Sequence, residues 1–198
     1  MLSYHTKKTH VLRNFIFAVI VITLICLSIY IVSIFLADTE TDFLKLQYPK
    51  DYHDIVSLCS SEYNVNENLI FSIIRTESRF DQNAVSPAGA RGLMQIMPST
   101  FEWLQEKRGV SGLYTENDLF NPEINIKYGT YFLSILLNEY EDDNSAIAAY
   151  NAGFIVGDWL KNPKYSSDGV TLDYIPYQET SEYVRRVNEA IAKYEEIY

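Results

Sequence analysis

The chain has 198 residues, 21% of them charged, and its 16 basic and 26 acidic residues leave a formal net charge of −10. So acidic a chain lacks the clustered Lys and Arg that phosphate contacts need, which argues against nucleic acid as a partner. Two cysteines, Cys26 and Cys59, exclude a disulfide scaffold and a cysteine-based zinc site.

The charge is unevenly divided. Lys7, Lys8 and Arg13 are the only charged side chains among the first 37 residues, so the N-terminal foot is basic and every carboxylate lies beyond it. Residues 15–37 (FIFAVIVITLICLSIYIVSIFLA) carry no charge, and only Thr23, Ser28 and Ser33 are polar. As a helix this run spans about 35 Å, enough to cross a hydrocarbon core of about 30 Å. It is longer than the apolar region of a signal peptide, about 7–15 residues. Phe35 also stands where cleavage after Ala37 would need a small residue, and Leu24-Ile25 before Cys26 lacks the small residue that lipoprotein processing prefers. The stretch reads as an uncleaved single-pass anchor in the cell membrane. The basic residues of 1–14 then place the N-terminus in the cytoplasm and residues 38–198 on the exterior face.

Residues 38–50 (DTETDFLKLQYPK) have an acidic start, no sustained period and a Pro near the end, which predicts a short linker. The domain expected over 51–198 has helical apolar spacing. Tyr52, Ile55, Val56 and Cys59 share one face of a first helix; Cys59 reads as a small buried hydrophobe and His53 as a surface residue. Asn66 can cap a second helix through Leu69, Ile70, Ile73 and Ile74. Pro98 suits the first turn of a third, with Phe101, Trp103 and Leu104. A fourth begins near Pro122 and continues through Ile124, Tyr128, Tyr131, Phe132, Ile135 and Leu136. An Ala-rich helix over about 144–151, N-capped by Asn144, closes at Gly153. The last, about 178–196, carries Tyr183, Val184, Val187, Ala190, Ile191 and Tyr194. Any strand is a short pairing within 83–97. The fold is therefore expected to be mainly α.

One residue does not suit its face. Ile70, Ile73, Ile74 and Glu77 fall at i, i+3, i+4 and i+7, so a carboxylate continues the apolar stripe of the second helix. Held there, its charged form is penalised and its pKa rises, as a general acid near neutral pH requires. The spacing alone leaves another reading open, a carboxylate that swings into water or pairs with Arg75 or Arg79. The segment that follows, DQNAVSPAGARGLMQIMP, mixes loop-type residues with a compact cluster at Leu93–Met97. That composition suits either backbone brought close to a ligand or a loop tucked under the core.

Here the sequence resembles a known family. Glu77-Ser78-x-Phe80 followed by Ala84-Val85-Ser86-Pro87-x-Gly89-Ala90-x-Gly92-Leu93-Met94-Gln95-Ile96-Met97-Pro98-x-Thr100 is similar to the signature of the lytic transglycosylases, at the lysozyme-like domain. Three more blocks match in order: Asn121-Pro122 with Asn125-Ile126, Gly129 and Tyr131-Phe132-Leu133; Ala146 to Gly153; and Glu179-Thr180 with Tyr183-Val184 and Val187. The resemblance covers about 50–198 and implies a single goose-type-lysozyme-like domain acting on peptidoglycan glycan strands.

By that resemblance Glu77 is the sole acid/base. It protonates the oxygen between N-acetylmuramic acid and N-acetylglucosamine, then takes the proton of the muramyl O6 hydroxyl as a 1,6-anhydro ring closes. Gln95 matches a sugar-contacting position, Ser86 a site beside N-acetyl groups, and Met94 and Met97 walls of the cleft. Tyr150 and Asn151 match residues of the scissile subsite, and Tyr183 a tyrosine whose hydroxyl reaches the catalytic carboxylate. No cofactor or metal is implied. Two rival functions stand beside this one: a lysozyme-type hydrolase, with Asp81, Asp142 or Asp143 positioning water, and a peptidoglycan-binding module without catalysis.

Overall fold

The structure is a computed structural model. It describes the backbone of residues 2–198 and their side chains, apart from those of 2–12, 14, 18 and 35–41. The chain divides into two units, Met1–Gln47 and Tyr48–Tyr198.

The first unit is one helix, α1 (Leu2–Gln47). Its segment Phe15–Ile34 has a mean hydropathy of 3.0 and is long and apolar enough to cross a membrane. Its few polar groups are satisfied locally. Thr23, Ser28 and Ser33 donate to the carbonyls of Ile20, Ile25 and Tyr30, each at 2.8 Å. Lys7 and Lys8, two of the three charges behind the expected orientation, lie outside the described side chains. The stretch expected as a linker over 38–50 is helical as far as Gln47. Glu, Leu and Lys in that stretch are good helix formers, and the first breaker is Pro49, which disfavours helical backbone at Tyr48.

The second unit comprises α2 (His53–Tyr63), α3 (Glu67–Ser78), α4 (Pro98–Lys107), α5 (Pro122–Glu139), α6 (Asp143–Ala152), α7 (Val156–Leu160) and α8 (Gln178–Ile197). Short 3-10 turns occupy Glu116–Phe120 and Gly153–Ile155. Among the described residues there is no strand, only the isolated antiparallel bridges Val85 with Arg91 and Arg91 with Ile96. The mainly α reading holds.

The helix boundaries follow from capping. The Asn66 side chain accepts the backbone N–H groups of Asn68 and Leu69, and Asn121 accepts that of Glu123 ahead of Pro122. At α6 the expected cap is corrected: Asp142, not Asn144, accepts the Ser145 N–H at 2.8 Å. Asn144 pairs instead with the Asn188 amide at 2.7 Å. The 3-10 turn at Glu116–Phe120 and α7 were not expected, because both are too short to show a period.

Helix α3 lies at the centre. Every residue from Leu69 to Ile74 is buried, so it packs on all sides, with α8 as its main neighbour and α2 beside it. Helix α6 bridges α5 and α8. Cys59 of α2 is buried, as expected, and burial pushes its thiol up to about 11. The unit is closed by its C-terminus. Tyr194 donates to the Pro49 carbonyl at 2.9 Å and Tyr198 to that of Tyr48 at 3.1 Å. Arg75 lies 3.9 Å over the Tyr48 ring.

Candidate active site

Helix α3 ends where its apolar stripe meets the surface. Ile70, Ile73 and Ile74 are fully buried, and Glu77, one turn on, is partly buried. Burial pushes the Glu77 carboxyl up to about 7; Tyr183 and Arg186 pull the other way, and Glu179 adds repulsion. Arg79 and Phe80 both have positive φ, 52° and 66°, a costly pair for side-chain-bearing residues, and they turn the chain sharply off the helix. Ser78 holds the turn: its hydroxyl reaches the Leu93 carbonyl at 2.8 Å and that of Ile74 at 3.1 Å.

The loop that Ser78 grips is built from its own polar groups. The Ser86 N–H donates to the Ala90 carbonyl at 3.0 Å, and the Ser86 hydroxyl accepts the Ala90 N–H at 3.0 Å. Gln95 has φ 47°, and its side-chain amide donates to the carbonyls of Gly92 at 2.8 Å and Ala84 at 3.1 Å. The buried Asn125 of α5 pins the loop from below. It accepts from Met94 N at 2.7 Å and donates to the carbonyls of Arg91 at 2.9 Å and Leu119 at 2.8 Å.

The expected cleft-wall role of Met94 is corrected. Its side chain is fully buried against Gly129, where an added Cβ would stand 2.4 Å from its sulfur. A side chain with no exposed surface cannot wall an open cleft, so Met94 supports the loop from within. Met97 is 36% exposed at the start of α4, where it can meet a ligand.

Tyr150, on α6, donates to the Met94 carbonyl at 2.9 Å. Its hydroxyl is raised well above the ordinary range by burial and by the Glu77 charge. Tyr183, on α8, is buried and is raised in the same way, first by burial and then by Glu77 and Tyr150. Its hydroxyl makes no hydrogen bond of ordinary geometry, yet it lies near enough to Glu77 to favour the charged carboxylate. Glu77, Tyr150 and Tyr183 therefore converge from α3, α6 and α8. Asn151 accepts from the Thr180 hydroxyl at 2.8 Å. Both line a cleft of ≈ 500 Å³ together with Ala152, Pro176, Tyr177, Gln178 and Glu179.

Asp81 is exposed and accepts the Asn83 N–H at 2.9 Å; Asp142 caps α6, and Asp143 is exposed on its first turn. Asn125, Glu179, Thr180 and Arg186 enter the site without having been assigned a part from sequence. Glu179 and Arg186 lie on α8 with Tyr183, and the helical period was the signal that links Arg186 to it.

The model of the Transglycosylase SLT domain matches residues 56–170. The soluble lytic murein transglycosylase of Escherichia coli K12 is 34% identical over 149 residues, covering 74% of this chain and 23% of that protein. The membrane-bound lytic murein transglycosylase C of Edwardsiella ictaluri is 40% identical over 111 residues, 52% of this chain and 31% of that protein. The structure of the 70 kDa soluble lytic transglycosylase of Escherichia coli superposes with a TM-score of 0.67 at 30% identity, covering 81% of this chain and 26% of that one. An inactive glutamate-to-glutamine mutant of the lytic transglycosylase Slt from Pseudomonas aeruginosa gives 0.66 at 29% identity, over 77% of this chain and 25% of that one. The chain thus spans about a quarter of the length of the first of these relatives.

Proposed function

We propose, from the premise that this chain belongs to the Transglycosylase SLT domain family, that its second unit cleaves peptidoglycan glycan strands without water. The bond is the β-1,4 link from N-acetylmuramic acid to N-acetylglucosamine. The observation that carries the reading is Glu77: a carboxyl at the exposed end of an apolar helix face, raised to about 7 and flanked by Tyr150 and Tyr183.

At neutral pH such a group is protonated in a large fraction of molecules and still basic once ionised, which suits one residue to both halves of the reaction. Glu77 donates its proton to the glycosidic oxygen, and the C1–O bond breaks with the electron pair leaving on the N-acetylglucosamine. Positive charge grows at C1, and the new carboxylate lies beneath it. The muramyl O6 then bonds to C1, its proton passing to Glu77. The residue is returned to its starting state and the product ends in a 1,6-anhydro ring. An intramolecular nucleophile makes a second carboxylate unnecessary, unlike the two-carboxylate glycosidases. Arg186 and the Tyr183 hydroxyl steady the carboxylate between the two transfers. Ser86, Gln95, Met97, Tyr150 and Asn151 are the residues proposed to hold the sugars. The Gln95 amide donors are both used within its loop, so its carbonyl oxygen is the group left for a sugar hydroxyl.

The hydrolytic alternative has one supporting observation. Glu179 lines the cleft and repels the Glu77 charge, so it is near enough to be considered as a base for water. The full-length chain in detergent, incubated with sacculi, separates the readings by mass spectrometry of the glycan ends. Anhydromuramyl ends from the native chain and their loss in Glu77→Gln are expected. Reducing ends, abolished by Glu179→Gln, would establish the hydrolase instead. Activity surviving in Glu77→Gln would end the assignment of the acid.

The chain is further proposed to be a single-pass membrane protein with its N-terminus in the cytoplasm and this domain outside, where its substrate is.

A further inference from the structure

A second groove, of ≈ 260 Å³, is lined by Ser99, Thr100, Trp103, Phe132, Gly153 and Phe154. Its walls are aromatic. Trp103 stands edge-on to Phe132 at 6.2 Å and to Phe154 at 5.8 Å. Phe154 is 52% exposed, a large ring left in water on the turn after Gly153. So placed, the ring packs on Trp103 with one side and is open to a ligand on the other part of its surface. The series of rings continues inward. Phe132 lies 5.2 Å from Tyr150, whose hydroxyl feels the Glu77 charge. The groove is therefore joined to the Glu77 site through consecutive side chains.

We infer that Trp103 and Phe154 form a platform for a sugar of the glycan strand beyond the bond that is cleaved, and so make the domain select long strands over short ones. The inference rests on the glycan-cleaving function proposed for the Glu77 site. A pyranose ring offers an apolar C–H face edged by hydroxyls, and the groove offers the complement: aromatic rings together with Ser99 and Thr100 in its lining. The second unit is rich in carboxylates, so a strand gains little from charge and its hold depends on contacts of this kind. Lys107 rests its ammonium 5.0 Å over the Trp103 ring, but it is an exposed side chain on a flexible stem and yields the face readily.

The test uses the full-length chain in detergent. Binding is measured by calorimetry in the Glu77→Gln background, with peptide-free glycan strands, with peptide-bearing strands and with a tetrasaccharide of the same repeat; turnover is measured with native Glu77. In Phe154→Ala and Trp103→Leu, affinity for strands is expected to fall about tenfold, the scale of one lost aromatic contact. KM for strands should rise in parallel, with kcat and tetrasaccharide turnover unchanged. Phe154 is exposed, so its variant keeps the fold even if that of Trp103 does not. Strand binding undiminished in Phe154→Ala overturns the platform while Glu77-dependent cleavage stands. A chain that cleaves nothing but loses strand affinity in Phe154→Ala keeps the platform and overturns the function. Loss confined to peptide-bearing strands would assign the groove to the stem peptide and reject the sugar.

Discussion

At the scale of the residue, the chemistry follows from the conflict between Glu77 and its surroundings. The carboxyl has an ordinary value of 4.5 and stands at about 7 in the folded chain, chiefly through burial. Folding thus favours the protonated form, so this group's contribution to stability is fully present below pH 4.5 and is lost as pH rises through 7. Glu77→Gln, neutral throughout, should therefore match the native chain near pH 4.5 and exceed it above pH 7, by on the order of 2–3 kcal/mol. Urea unfolding at the two pH values measures this, and equal differences at both would contradict the raised pKa. For the same reason cleavage should decline above about pH 7, as the acid is lost. Tyr183→Phe removes a group that favours the charged carboxylate, so this alkaline limb should move up by roughly half a unit to one unit as turnover falls. An unmoved pH profile would make Tyr183 a packing residue only. The helical period already put Glu77 on the wrong face. The fate of Met94 could not be read that way, because an apolar run looks alike whether it faces the cleft or α5.

At the scale of the element, the site depends on how α3 hands over to its loop. Two consecutive left-handed residues, Arg79 and Phe80, cost backbone energy that the Ser78 and Asn125 hydrogen bonds offset. Asn125→Leu would leave the Met94 N–H and the Leu119 carbonyl unpartnered in a buried place and take from the Arg91 carbonyl one of its two hydrogen bonds. It should destabilise the domain by about 3–5 kcal/mol, with the loss read as a lower urea midpoint and reduced turnover. Gly129→Ala would press against Met94 and should cost about 1–3 kcal/mol, with a corresponding drop in melting temperature. The helix starts at Asn66, Pro98 and Asn121-Pro122 were legible because capping chemistry is local. Asp142 caps α6 through the Ser145 N–H and hydroxyl, and Asn144 is engaged by Asn188, a partner 44 residues away. No pattern in the sequence of α6 contains that information.

At the scale of the molecule, the net charge of −10 is a sum over a basic foot, an uncharged run and an acidic remainder. Reversing Lys7, Lys8 and Arg13 to Glu should keep the chain in the membrane fraction but make its domain resistant to protease added outside intact cells. Unchanged sensitivity would remove these charges as the orienting signal. The sequence by itself determined the membrane-length apolar run, the mainly helical class and the misfit at Glu77, since each is a periodicity or a composition along one segment. The family resemblance implied that Tyr183 reaches Glu77, while tertiary structure alone decided that Glu179 and Arg186 bear on its charge and that Trp103 and Phe154 share a groove. Those relations are set by how α3, α6 and α8 pack, and distances between segments far apart in the chain leave no trace in the spacing of either one.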